Sequence, residues 1–302
     1  AWSLARPHVD MLPLRAYGRS DGFAVNWLPE RNLRTIRELD PDVVHLNWVW
    51  RGALSVETIG RLNRPIVWRL PDMTALTGGC HYADGCERFA DRCGAFPQLS
   101  GPLAGHERDL SRLTWERQRR AWADIDVTVV APCEWLAEQA RESSLFGDRR
   151  IEVIPNGLDV ETYRPRGPSL GRDLFDLPED ARLVLFGAVD PMGDGRKGAD
   201  LLRAALAELS GSDEMGDVEV VVFGASEPSN PPDWGFPTHY TGFLHDDPSL
   251  VLLYSAADVM VVPSRYEGFG QTVFEALACG TPVVAFDATG PNRAPATACA
   301  AG

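Results

Sequence analysis

Short apolar runs rich in β-branched residues alternate along the chain with longer stretches whose apolar positions recur at helical spacing. Residues 42–48, 65–70 and 127–131 read as buried strands, and 54–62 and 110–123 between them as helices. Residues 151–154 form a further strand, stopped by the turn signal Pro155-Asn156-Gly157. A second series follows, with strands at 183–186, 218–223, 259–262 and 282–286 and helices at 200–209, 250–256 and 271–278. Strands this continuously apolar, each followed by a helix, predict parallel sheets covered on both faces. The aperiodic stretch 163–168 separates the two series, so the pattern predicts two α/β domains, 1–165 and 166–302. No internal repeat is visible. In such sheets ligands bind beyond the carboxyl ends of the strands, and two facing domains place the expected site in the cleft between them.

Composition narrows the classes. At 302 residues the chain is long enough for two compact units. No apolar run approaches the ~18–20 residues that span a bilayer. The chain opens on Ala without a charged-then-apolar leader, which reads as a processed N-terminus or a fragment. A net charge of −14 repels phosphate backbones and argues against nucleic acid as a partner. The cations are lopsided, for Lys197 is the one lysine and every other basic residue is Arg. Six cysteines are too sparse for a disulfide scaffold, so reduced thiols and a cytoplasmic setting are the default.

Two loops carry candidate chemistry. The first runs from Pro263 through Glu267-Gly268-Phe269-Gly270 to Glu275. Glu267 lies just past a predicted strand; Gly268 and Gly270 permit close backbone approach, and bare N–H groups there precede a helix. Glu275, eight positions on, is expected to face the same crevice, and paired carboxylates make charge-assisted hydrogen bonds to sugar hydroxyls. The alternative is a helix-capping Glu267 and a Glu275 on a solvated face. The second loop runs from Phe186 to Gly198 and ends in Arg196-Lys197-Gly198. A planar guanidinium, a point-charge ammonium and a helix N-terminus together suit a diphosphate; the alternative is a surface turn with two exposed cations. The glycine and Ser/Thr spacing around Lys197 does not fit a P-loop, and no G-x-G-x-x-G follows a strand, so a nicotinamide or flavin is unsupported.

Taken in order, these segments resemble a known family. Arg196-Lys197-Gly198, Pro263-Ser264 ahead of Glu267-Gly268-Phe269-Gly270, Glu275-Ala276, and Gly280-Thr281-Pro282-Val283-Val284 resemble the retaining GT-B glycosyltransferases of family 4. Ile154-Pro155-Asn156-Gly157-Leu158-Asp159 looks like that family's interdomain segment. Thr77-Gly78-Gly79-Cys80-His81-Tyr82 and Pro97-Gln98-Leu99 are similar to a subgroup that makes bacterial exopolysaccharides, including colanic acid. The resemblance implies two Rossmann-like domains and transfer of a sugar from a nucleotide-diphospho-sugar to a saccharide or lipid-linked saccharide. On the family pattern Arg196 and Lys197 neutralise the diphosphate leaving group and Glu275 binds the ribose. Glu267, with the Phe269 and Gly270 amides, holds the donor sugar. No Asp-x-Asp motif stands at a matching strand end, so no cofactor and no divalent metal are expected.

On the acceptor side, His45, Asn47, Trp48, Trp50 and Arg51 leave a strand end, where indoles stack on sugar faces or else belong to the core. Cys80, His81, Cys86 and Cys93 offer four soft ligands for a structural zinc; ordinary reduced thiols are the favoured reading, because the subgroup's fourth cysteine position holds Phe96. The chain departs from the family in having Pro71-Asp72 where a His-Asp pair is typical, which leaves Asp72 as a substitute for the missing histidine contact. The family's first strand is not seen ahead of Ala1, and 287–302 turns Ala/Pro/Gly-rich, so both ends look cut. Rival readings are an inactive remnant that at most binds a nucleotide sugar, a GT-B sugar-nucleotide epimerase, and a phosphorylase-like enzyme, for which Lys197 is already committed. A glycosidase lacks the anionic leaving group that Arg-Lys would serve. The acidic surface leaves room only for weak peripheral contact with a membrane.

Overall fold

The computed structural model of the protein describes residues 2–17, 22–29, 32–211 and 216–290. Its contacts divide the chain into two units, Ala1–Pro155 and Asn156–Gly302. The first contains, in chain order, α1 (Trp2–Asp10), α2 (Asn32–Leu39), β1 (Val44–Leu46), α3 (Val56–Ile59), β2 (Ile66–Arg69), α4 (Leu110–Ala121), β3 (Val127–Ala131), α5 (Glu134–Glu142) and β4 (Arg150–Val153). Its strands pair in the order β1-β2-β3-β4, all parallel. Register sets Trp68 opposite Leu46 on one side and Val129 on the other. There it packs edge-on against Trp122 (5.1 Å between centroids) and Phe146 (5.7 Å), forming the unit's aromatic centre.

The second unit contains α6 (Pro168–Leu174), β5 (Arg182–Gly187), α7 (Ala199–Leu209), β6 (Val218–Phe223), β7 (Thr238–Gly242), α8 (Asp247–Ala256), β8 (Val259–Val262), α9 (Gln271–Ala278) and β9 (Val283–Ala285). The sheet order is β7-β6-β5-β8-β9, again all parallel. Successive strands are laid down outward from β5 on one side and then from β8 on the other. The strand order therefore reverses between β5 and β8, and the loops leaving their carboxyl ends diverge there. Phe186, Leu202, Leu206, Val220, Val222 and Trp234 make the core under this sheet.

The α/β class with two parallel sheets agrees with the sequence pattern, and strands 127–131, 218–223 and 259–262 and helix 271–278 fall where periodicity puts them. Other elements differ. The run at 42–48 pairs over only three residues, and the expected helix at 54–62 is one turn, Val56–Ile59. The helix expected at 250–256 begins at Asp247, because Asp246 caps it by accepting the Ser249 N–H at 2.8 Å. The unit boundary lies ten residues before the expected 165/166. Residues after Pro155 are tied to the second unit: Tyr163 Oη donates to Asp247 Oδ1 (2.9 Å) and the Arg166 N–H to Ser255 Oγ (3.1 Å). Among the described residues no helix is long and apolar enough to cross a membrane. Most of the tail 287–302, together with Cys299, lies outside the described residues.

Candidate functional site

At the reversal point between β5 and β8 lies a cavity of about 240 Å³. Phe186, Gly187 and Val189 line it from the end of β5, Val262 and Ser264 from the end of β8, and Gly270 and Gln271 from the start of α9. Lys197 and Glu267 face each other in its wall. Lys197 Nζ donates to Glu267 Oε1 at 2.5 Å, and Ser264 Oγ donates to the same oxygen at 3.0 Å. Both side chains are mostly buried, at 20% and 15% exposure, so this pair is screened far less than a surface ion pair. The backbone of Glu267 is fixed as well, its N–H donating to Thr289 Oγ1 (3.1 Å) and its carbonyl accepting the Gly290 N–H (2.9 Å).

The glycine at 198 is required by this geometry. Gly198 sits at φ 71°, and a Cβ there would come within 2.0 Å of the Pro263 carbonyl oxygen. Gly198→Ala is expected to cost about 1–3 kcal/mol, the usual range for a strained backbone position. Urea unfolding of the second unit checks it, and an unchanged midpoint would refute this account of the loop. Gly270, at φ 79°, turns the chain into α9, whose first turn opens on the cavity.

The other expected site residues divide. Phe269 is buried, stacks on Phe274 at 4.5 Å and, like Gly268, is not part of the cavity lining. Arg196 is not part of the cavity lining; its guanidinium pairs with Asp194 at 2.5 and 3.1 Å. Nor is Glu275 part of that lining. About one turn into α9, its Oε2 accepts the hydroxyl of fully buried Tyr254 at 2.8 Å, and Gln271 also bonds its carboxylate. Burial holds the Glu275 carboxyl above the usual carboxylate range, the two hydrogen bonds opposing that shift. Gln271 thus joins the cavity wall to Glu275, a link sequence reasoning missed; its place at the start of a helix after Gly270 was the only signal.

In the first unit Asn47 Oδ1 accepts from Arg69 Nη1 at 3.1 Å, bringing together the carboxyl ends of β1 and β2. Asp72 is buried, accepts the Thr74 N–H at 2.8 Å and lowers the cost of the half-buried Arg69 charge. Arg69, which sequence reasoning did not single out, is the last residue of its strand. His45 is exposed on β1. The two tryptophans part company: Trp48 is 46% exposed, whereas Trp50 is buried and packs on Trp68 at 6.0 Å.

For Cys80, His81, Cys86 and Cys93 the sequence leaves a structural zinc as the less favoured reading beside ordinary thiols. Among the described residues no group of three or more His, Cys, Asp or Glu is placed to hold a metal ion. Cys80, Cys86 and Cys93 instead line a cavity of about 10 Å³, room for roughly one water. Phe89 and Phe96 close it, and His81 is not in its lining. Burial pushes the Cys80 thiol up and the Cys93 thiol up to about 12, so both are protonated at neutral pH.

Comparison with known proteins follows these features. Residues 1–157, more than half of the chain, match the family model "Glycosyl transferase 4-like domain", and residues 180–298 match "Glycosyl transferases group 1". The putative colanic acid biosynthesis glycosyl transferase WcaC of Escherichia coli is 27% identical over 273 residues, covering 83% of this chain and 62% of that protein. The D-inositol 3-phosphate glycosyltransferase of Nocardia farcinica is 37% identical over 201 residues, covering 61% of this chain and 42% of that one. The chain thus spans less than two thirds of the length of either relative. Among solved structures, Anabaena HepE in complex with UDP and glucose matches with a TM-score of 0.53 at 18% identity, over 85% of this chain and 62% of that chain, a likeness of fold. With two parallel α/β sheets and both family models matched in order, the chain belongs to the glycosyl transferase 4-like family.

Proposed function

We propose that the protein transfers a sugar, with retention of anomeric configuration, from a nucleotide-diphospho-sugar to a saccharide or lipid-linked saccharide acceptor in cell-surface polysaccharide synthesis. The observation that carries this reading is the pairing of the chain's one lysine with Glu267 inside the cavity at the strand-order reversal. A chain of net charge −14 keeps this ammonium where a parallel sheet takes its ligands. A diphosphate entering the cavity draws Lys197 Nζ away from Glu267 and leaves that carboxylate to accept hydroxyl hydrogen bonds from the sugar. As the bond to the diphosphate breaks, negative charge grows on the leaving oxygen and positive charge on the sugar ring. Lys197 stabilises the first, with amides at the start of α9, and Glu267 the second. Glu275 takes the ribose hydroxyls, and Asn47, Trp48 and Asp72 serve the acceptor. Lys197 supplies the charge a divalent ion would otherwise bring, so no metal is required. WcaC's name supports sugar transfer in polysaccharide synthesis, and the UDP and glucose bound to HepE support a sugar-nucleotide donor.

The test is a panel of UDP-, GDP- and ADP-sugars, assayed for binding and for transfer with EDTA present. Transfer from one donor supports the reading. Binding without transfer to any saccharide or polyprenyl-linked acceptor replaces it with a nucleotide-sugar-binding remnant, and no binding overturns the site.

The Tyr254–Glu275 pair gives a pH prediction. Glu275's raised carboxyl must be ionised to accept two ribose hydroxyls, so nucleotide affinity falls as pH drops through its titration. Tyr254→Phe removes a bond to the charged form and moves that fall to higher pH; affinity at neutral pH drops only several-fold, the scale of one hydrogen bond of about 1 kcal/mol. Nucleotide titrations between pH 5 and about 8 check it. Superimposable profiles for parent and variant would remove Glu275 from the binding step.

A further inference from the structure

One side chain that the proposed function leaves unused ties the Lys197 loop to the Glu267 loop. Arg265 stands two residues before Glu267, and its N–H donates to the Arg196 carbonyl at 2.8 Å. Its Nη1 donates to the Gly195 carbonyl at 2.8 Å. The same guanidinium takes both oxygens of Asp200, in the first turn of α7, at 2.8 and 2.6 Å. Arg265 therefore grips the chain on both sides of Lys197, at residues 195–196 before it and at residue 200 after it. The close seating of Gly198 on the Pro263 carbonyl completes the bracket. The bidentate contact is strong enough to hold the Asp200 carboxyl down at about 2. Arg265 is not part of the cavity lining, so any effect it has on a ligand there passes through its neighbours.

A lone exposed ion pair contributes little to stability or function. This one differs in its partners, because the same guanidinium also bonds the backbone of the loop whose single lysine enters the cavity, beside the bond made by Arg265's own main-chain N–H. We propose that Arg265 is a positioning residue: it fixes the placement of Lys197 Nζ against Glu267 and thereby sets the affinity for the diphosphate of a nucleoside diphosphate. The inference rests on the donor-site reading above.

The test measures binding of UDP, ADP and GDP by calorimetry to the parent chain and to the Lys197→Ala, Arg265→Ala, Arg265→Lys, Asp200→Asn and Lys197→Ala/Arg265→Ala variants. Arg265→Ala is expected to weaken the nucleotide that binds by on the order of tenfold, the scale of a small misplacement of a binding group. Arg265→Lys falls between, since one ammonium cannot serve the Gly195 carbonyl and both Asp200 oxygens together. Asp200→Asn weakens binding in the same direction and keeps the test open should Arg265→Ala fold poorly. In the Lys197→Ala background the Arg265 substitution should make no further difference, whereas a general structural role would cost as much in either background. Undiminished affinity in Arg265→Ala and Asp200→Asn, or losses that add fully to that of Lys197→Ala, overturns the inference and leaves the donor site standing. A parent that binds none of the three, or a Lys197→Ala variant that binds as the parent does, overturns the donor site and this inference with it.

Discussion

Arg172→Ala should destabilise the second unit by about 3–5 kcal/mol, the cost of leaving several buried backbone carbonyls without their donor at on the order of 1 kcal/mol or more each. Arg172 is 7% exposed and sits near the end of α6. Its Nε donates to the Ala256 carbonyl at 3.2 Å, and its Nη1 reaches the carbonyls of Pro178, Glu179 and Ala181 at 2.9, 2.5 and 2.9 Å. Its Nη2 bonds Asp258 Oδ2 at 3.0 Å, and that oxygen also accepts the Leu183 N–H at 2.7 Å. One guanidinium thus ties the end of α6, the turn into β5 and the end of α8 together. An apolar residue of similar size would not rescue the loss, because most of the partners are backbone carbonyls that no substitution can remove. Arg172→Lys keeps the charge with three donors in place of a five-donor fork and should lose roughly half as much. Urea unfolding read from the second unit's transition measures both; a loss under about 1 kcal/mol for the alanine variant would mean that water replaces the guanidinium at little cost.

Nothing in the sequence marks Arg172, and the reason is general. The apolar pattern reports which positions of an element are buried, so it finds elements such as β6, buried at every position but Glu219. It is blind to a charged residue buried by tertiary contact. It also missed β7, Thr238–Gly242, whose residues are all half-buried at the sheet edge, and α5, whose N-cap is the thiol of Cys133, an unusual capping group. The run at 42–48 overran its strand because Val43, apolar by type, is 51% exposed and outside the ladder. The site was legible to the extent that chemistry and local backbone coincide. Lys197, Glu267 and Gly270 were found because strand ends, glycines and one lysine are sequence-local features. Arg265, Gln271 and Tyr254 were not, since what they do depends on which loop or helix lies across from them.

Lys197→Ala should lower the rate of sugar transfer at saturating donor by on the order of 10³-fold, about 4 kcal/mol, the effect of deleting one preorganised group aimed at developing charge. The deletion has a second consequence, because Glu267, 15% exposed, is left with Ser264 as its hydrogen-bond donor in place of an ammonium. Part of any measured loss could therefore reflect a displaced or protonated Glu267. A paired substitution separates a structural contact from a functional charge pair. Lys197→Met with Glu267→Gln removes both charges, keeps the side-chain volumes close and should recover the stability lost in Lys197→Met alone. It should not recover transfer, since neither the leaving group nor the sugar ring then meets a charge. Thermal midpoints and donor-saturated rates of parent, both single variants and the pair complete the cycle. Recovery of both together would make the pair a structural contact only, whereas recovery of stability with transfer still abolished is the signature of a charge pair that acts in the transfer step.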